Sequence, residues 1–181
     1  MATKSNIRAC RLATAVALVL LIIAPSAARG QLSSRDVQAL SGAELIYVAT
    51  VRKSGAQSKS APVWFTTSAD GNSLLIQTRR TTWKAKRIKR GSPVLVWIGS
   101  ATGPAFMGKA AISNDAAVQA KILKDYKEKY WQNRVLGIGP SRGEFDSGEV
   151  VAIVITPVRD LPNGFTSAPG SPPPALQTPA H

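Results

Sequence analysis

The sequence predicts a mainly β domain with added helices, an α+β chain whose antiparallel sheet closes wholly or partly into a barrel. Three observations lead there. Apolar stretches of strand length recur between turn residues from about residue 45 to residue 156. The last of them, Val150-Val151-Ala152-Ile153-Val154-Ile155-Thr156, is apolar on both faces, so it needs cover outside the sheet as well as a core inside it. No regular alternation of strand and helix marks a parallel nucleotide-binding sheet, and no internal repeat is present.

At the N-terminus, Lys4, Arg8 and Arg11 precede an uncharged apolar run over residues 12–24, and small residues follow around Ala28. This is the pattern of a secretory signal peptide over residues 1–30, with a periplasmic or secreted product of Sec-type export. The run is short for a bilayer span, which leaves a membrane anchor by an uncleaved N-terminal segment as the alternative. No Arg-Arg pair stands before it, so any cofactor is expected to be acquired after export.

Residues 31–43 read as a lead-in to a domain over residues 44–161. A first hairpin pairs residues 45–51 with 61–67 across the turn-rich stretch 54–58. Asp70-Gly71 is a strong turn signal and leads into a strand over residues 74–78. Thr82 starts a short helix that Gly91 ends and Pro93 keeps from resuming, and strands follow over 94–99 and 105–112. Ser113-Asn114-Asp115 caps a helix running to about residue 133, whose Val118, Ile122, Leu123, Tyr126 and Tyr130 form a stripe able to cover one barrel face. Residues 162–181 are rich in Pro and Gly with little to bury, and read as a disordered tail.

Charge and cysteine content narrow the chemistry. The chain carries 23 basic and 10 acidic residues, a net +13. Loss of residues 1–30 would remove four of those basic residues and no acid, leaving +9. It would also remove Cys10, the only cysteine, so the remainder can form no disulfide. His181, the only histidine, ends the tail. Transition-metal ligation and histidine-assisted nucleophilic catalysis are therefore not expected. Glu144, Asp146 and Glu149 read as solvated loop carboxylates rather than a cation site.

The most informative stretch is Thr78-Arg79-Arg80-Thr81-Thr82-Trp83-Lys84-Ala85-Lys86-Arg87-Ile88-Lys89-Arg90-Gly91, with seven cations, three threonines and no acid at the end of an apolar strand. Hydroxyls, guanidinium and ammonium groups are the donors a phosphate needs, and the helix start adds free N–H groups. One short helix cannot aim seven cations at one ligand, so three or fewer are expected to touch it. The preceding strands bring apolar side chains to the same place. A phosphate site beside an apolar wall suits a cofactor like flavin mononucleotide (FMN).

The pieces YVATVRKSG, APVWF, the Asp-Gly turn, LLIQTRRTTWK, SPVLVWIG, FMGKAAI and a helix ending KYW together resemble the pyridoxamine 5′-phosphate oxidase-like, FMN-binding split-barrel family over residues 43–156. The similarity is greatest to its branch of deazaflavin-dependent reductases. The resemblance implies a six-stranded antiparallel split β-barrel that forms a homodimer, with FMN or deazaflavin in a groove shared by the two subunits. By position it implies that Thr78, Arg79, Thr82 and Lys84 hold the cofactor phosphate and that Pro62, Val63 and Trp64 lie along its ring.

Simpler roles stand beside these. Trp64 and Trp83 divide evenly between packing and ligand contact, Trp97 and Trp131 read as structural, and Lys109 as a solvated strand lysine. The Gly137-to-Gly143 stretch lacks the ending of a phosphate loop and reads as a mobile connection. With no acid-base dyad in the domain, reactivity would come from the cofactor. The expectation is an exported flavin- or deazaflavin-binding oxidoreductase acting on a small-molecule substrate. The alternative is a non-catalytic split-barrel module that binds flavin, haem or another anionic ligand. Nucleic acid is not an expected partner, while weak association with an anionic membrane stays open.

Overall fold

The computed structural model describes residues 31–161 and 164–166. The elements run α1 (Ser34–Gly42), β1 (Ile46–Thr50), β2 (Ala61–Val63), β3 (Thr66–Thr67), β4 (Leu74–Arg79), α2 (Trp83–Lys89), β5 (Val94–Ile98), β6 (Ala105–Ser113), α3 (Ala116–Lys129), α4 (Trp131–Leu136), α5 (Arg142–Asp146) and β7 (Val150–Asp160). The strands form one sheet in the order β2-β1-β5-β6-β7-β4-β3. Every pairing is antiparallel.

That order dictates a curl. β2 and β3 lie at opposite edges of the sheet, yet only Trp64 and Phe65 separate them in sequence, a connection that spans at most about 11 Å. The edges must therefore swing toward each other, which makes the sheet a split barrel. The strand expected over residues 61–67 is two strands, raising the predicted six to seven. Trp64 and Phe65 leave the ladder because their backbone groups bond elsewhere: the Tyr126 hydroxyl donates to the Trp64 carbonyl at 2.7 Å, and the Phe65 N–H donates to the Tyr130 hydroxyl at 2.9 Å.

Inside the barrel, the alternate residues Val94, Val96 and Ile98 of β5 meet Ile46, Val48, Phe106, Ile153 and Ile155, with Ile88 of α2 and Leu40 of α1 closing the ends. Gly108 sits where the β6–β7 register slips, and a Cβ there would meet Ile155 Cγ2 at 2.7 Å. Outside the β4–β7 wall, Ile122, Tyr126 and Tyr130 pack with Phe145 on Leu75 and Ala152. This is the helical cover that the two-faced β7 required. Full burial of one such aliphatic side chain contributes about 1.5–3 kcal/mol.

The second face of β5 is covered differently. Leu95 and Trp97 pack with Ala49, Ala105, Met107 and Leu161. The Trp97 indole N–H donates to the Phe165 carbonyl at 2.7 Å, and the two rings stack with centroids 6.2 Å apart. Phe165, expected in a flexible tail, thus folds back onto the barrel.

Several boundaries move for local reasons. The lead-in contains α1, capped by the Ser33 hydroxyl on the Asp36 N–H. The helix expected to reach residue 133 breaks at Tyr130, whose φ of −112° and ψ of 109° are extended, and α4 restarts the helical path. Trp131 is 56% exposed rather than packed. α5, unforeseen, begins with a capping box between Ser141 and Glu144. The proposed signal peptide and most of the tail lie outside the described residues. Among the described residues no helix is long and apolar enough to cross a membrane.

Candidate functional site

A cavity of about 600 Å³ opens where the two sheet edges approach each other. Its walls come from β2, the β2–β3 connection, the end of β4, the first residue before α2, and the α4–α5 connection. Pro62, Val63, Trp64, Thr78, Arg79 and Thr82 all line it. Six of the seven residues singled out in the sequence are therefore together. Lys84 is not among them.

The polar end is built by a tight turn at the close of β4. Thr82 N–H donates to the Arg79 carbonyl at 3.1 Å and its hydroxyl donates to the same oxygen at 2.9 Å. That hydroxyl also accepts the Ala85 N–H at 3.2 Å, which caps α2, and lies 3.3 Å from the Thr78 hydroxyl. Two hydroxyls and a guanidinium thus converge on one end of the cavity. Arg79 meets Glu149 at 3.7 Å, but both side chains are exposed, and such a pair holds the guanidinium weakly. Glu144, the acid in the lining, accepts from both the N–H and the hydroxyl of Ser141.

The apolar wall is held from behind. Trp64 stacks on Tyr130 with ring centroids 4.5 Å apart and planes 7° from parallel, and meets Tyr126 edge-on at 5.8 Å. Tyr130 also donates to the Glu44 carbonyl at 2.8 Å, and burial pushes its phenol up to about 12. Tyr126 is more deeply buried, and desolvation raises its phenol well above the usual value. Both phenols stay neutral across physiological pH. Trp64 accordingly serves packing and cavity together.

Lys84 lies in the first turn of α2, half-buried, and desolvation pushes its ammonium down to about 8. Among the described residues it makes no ion pair or hydrogen bond through its side chain. Trp83 is 70% exposed with Lys86 5.0 Å above its ring, so it is neither core nor cavity wall. Lys109 is exposed as expected. Of the seven cations in the basic stretch, Arg79 alone lines the cavity.

Sequence reasoning missed one wall. Ile138, Gly139 and Pro140 line the cavity beside Trp64, in the stretch expected to be a mobile connection. Gly139 has φ 141°, and a Cβ there would meet Trp64 Cζ3 at 3.1 Å and Asn133 Nδ2 at 2.2 Å. Only glycine allows that approach. Leu45, Gln77 and Val150 were also missed; each reads as an ordinary strand-end residue until the sheet's curl brings them together. Among the described residues no group of three or more acids, histidines or cysteines could hold a metal ion.

A curled antiparallel sheet whose two edges frame such a cavity defines the protein as a split-barrel protein. Residues 34–160 match the family model described as pyridoxamine 5′-phosphate oxidase, and the chain belongs to that family. Among solved structures, a Listeria innocua protein provisionally designated a pyridoxamine 5′-phosphate oxidase is 17% identical, with a TM-score of 0.51 over 69% of this chain and 92% of that one. The FAD and heme binding protein of Mycobacterium smegmatis is 18% identical, with a TM-score of 0.50 over 70% and 68% of the two chains. HutZ, the heme storage protein of Vibrio cholerae, is 10% identical, with a TM-score of 0.50 over 71% and 92%. At these identities the likeness is one of fold. No curated protein matches the chain.

Proposed function

We propose that the protein is an exported flavin-binding oxidoreductase of the pyridoxamine 5′-phosphate oxidase-like type, taking FMN or deazaflavin and acting on a small molecule. The observation that carries this reading is the convergence of Thr78, Arg79 and Thr82 at one end of a cavity whose other walls are Pro62, Val63 and Trp64. The donors suit a phosphate dianion, and the wall suits a flat ring. A bound flavin would supply the electron or hydride transfer. The chain's own part would be to fix it: Thr78 presents a hydroxyl, Thr82 would offer its own by releasing the Arg79 carbonyl, Arg79 presents charge, and Trp64, stacked on Tyr130, would keep water from one side of the ring. Lys84 would turn toward the phosphate, which offers its poorly solvated ammonium a counter-charge.

The domain residues fit flavin better than haem. Residues 31–161 contain neither histidine nor cysteine, two of the common haem ligands. The M. smegmatis protein is named for binding both FAD and haem, so a haem or flavin carrier without turnover is the second reading. Export rests on the pattern of residues 1–30, and dimerisation on the family resemblance. Titration of the purified protein with FMN, deazaflavin and haem tests the reading, followed by reduction of the bound chromophore and addition of an acceptor. Saturable flavin binding with reversible bleaching supports an oxidoreductase. Binding of haem alone, or of none of the three, overturns the flavin assignment.

A further inference from the structure

Most of the basic stretch is unused by the groove just described. Consecutive residues Arg79 and Arg80 serve different places: Arg79 lines the first cavity, while Arg80 lines a second one of about 530 Å³ between α2, α5 and the start of α3. Lys86 and Lys89, one turn apart on α2, line the same cavity, as do the amides of Asn114 and Gln119. Its floor is apolar, formed by Ala85, Phe145, Val150 and Val151, all buried. No acidic residue is part of the lining.

The charges there have no acidic partner, and Lys86 alone has an aromatic one, 5.0 Å above the Trp83 ring. Among the described residues, Arg80, Lys86 and Lys89 make no ion pair and no side-chain hydrogen bond. The nearby acids are engaged elsewhere: Glu149 faces Arg79, Asp146 pairs with Arg142 at 3.0 Å, and Asp115 caps α3 through the Ala117 N–H. The Arg80 guanidinium is held against Gly148, where an added Cβ would come within 3.4 Å of its Nη1. Three like charges around an apolar floor repel one another and gain no ion pair from the fold. A solvated lysine face would need neither the floor nor the two amides.

We propose that this cavity is a second binding site, for a phosphorylated small molecule with an aromatic or aliphatic body. Arg80, Lys86 and Lys89 would bind the phosphate from two sides, Asn114 and Gln119 would bond to polar substituents, and the body would rest on Phe145 and Val151. The site shares Val150 with the first cavity, so occupancy of one adjoins the wall of the other. It does not depend on the flavin assignment, because none of the first cavity's donors takes part.

Phenyl phosphate is the probe, followed by amide NMR and by calorimetry on the purified protein. Shifts at Asn114, Gln119 and Gly148 are expected, with binding weakened about fivefold or more by Arg80→Gln and by Lys89→Gln. Lys127→Gln, an exposed lysine of α3, should change it less than about twofold. Inorganic phosphate should bind more weakly than phenyl phosphate, since it lacks a body for the floor. Shifts confined to Thr78 and Thr82, or equal losses in all variants, would overturn the proposal by reducing it to the first cavity or to diffuse charge. A lipid headgroup is the other source of the same chemistry. If vesicles containing phosphatidylglycerol retain the protein in an Arg80-dependent way while phenyl phosphate causes no shift, the surface is a membrane contact and the small-molecule site is wrong.

Discussion

The indole of Trp64 lies flat on the phenol of Tyr130, 4.5 Å between ring centroids, and this pair joins the cavity wall to the helical layer outside the barrel. The Tyr130 hydroxyl accepts the Phe65 N–H and faces the carbonyls of Glu44 and Phe65. One oxygen thereby fixes the connection between the two sheet edges.

Tyr130→Phe keeps the ring stack and deletes that oxygen, stranding a buried N–H. Such a group costs about 1–3 kcal/mol when unpaired, so the melting temperature should fall by several degrees. Calorimetry checks this, and an unchanged melting temperature would mean water replaces the hydroxyl.

Lys84→Ala should weaken FMN binding about 10- to 100-fold, the worth of a charged hydrogen bond to a partly buried phosphate. Lys127→Ala, far along α3, should cost less than about threefold through the screened field alone. Equal losses in a fluorescence titration would show that only net charge matters.

The same lysine sets a pH dependence. Its ammonium titrates at about 8 in the folded chain and near 10.4 when unfolded. Between those values the unfolded chain holds the proton and the native state has released it, so ligand-free stability should rise from pH 8 toward 10. Burial lowers the Lys129 ammonium to about 8 as well, so Lys84→Met should lessen the rise in denaturant melts and leave the share of Lys129. FMN affinity should move the opposite way, falling above pH 8 as the ammonium is lost.

Asp36 of α1 is fully buried, and its carboxyl is raised from the usual value, chiefly through desolvation and also because it faces Asp160, with the Ser33 hydroxyl and then Arg35 acting against the shift. A carboxyl raised in the folded state favours folding only while protonated, so its contribution is lost as pH rises through the folded value. Asp36→Asn should therefore stabilise the protein at pH 7 and lose that advantage below pH 4. Urea melts at the two pH values distinguish this from a uniform effect.

Gly139→Ala places a methyl between Asn133 and the Trp64 edge at a φ that side-chain residues avoid. A cost of about 1–3 kcal/mol is expected, together with reduced FMN affinity as the wall shifts. Loss of stability with unaltered affinity would remove residues 138–140 from the binding surface.

Much of this was legible because its signals are local. Thr82 reads as a cap, Asp70-Gly71 as a turn and Val150 to Thr156 as a strand buried on both faces, and each is what forms. The break at Tyr130 was not legible, since it depends on bonds to Glu44 and Phe65, which lie far off in sequence. The Gly139 wall was hidden for a similar reason: its importance comes from Trp64, about 75 residues away. Lys84 was singled out by the family resemblance and by its place in the first turn of the helix, but whether an ammonium turns toward a cavity is decided by a ligand's charge, which no backbone pattern encodes.

Among the described residues β7 is the last strand in sequence, and it occupies an interior position, between β6 and β4. Without it the strand order divides into β2-β1-β5-β6 and β4-β3, and β6 and β4 each lose their partner. Such edges recruit other chains when left open. A chain stopped before Val150 would thus leave the β6 and β4 edges unpaired rather than form a smaller barrel, and should aggregate.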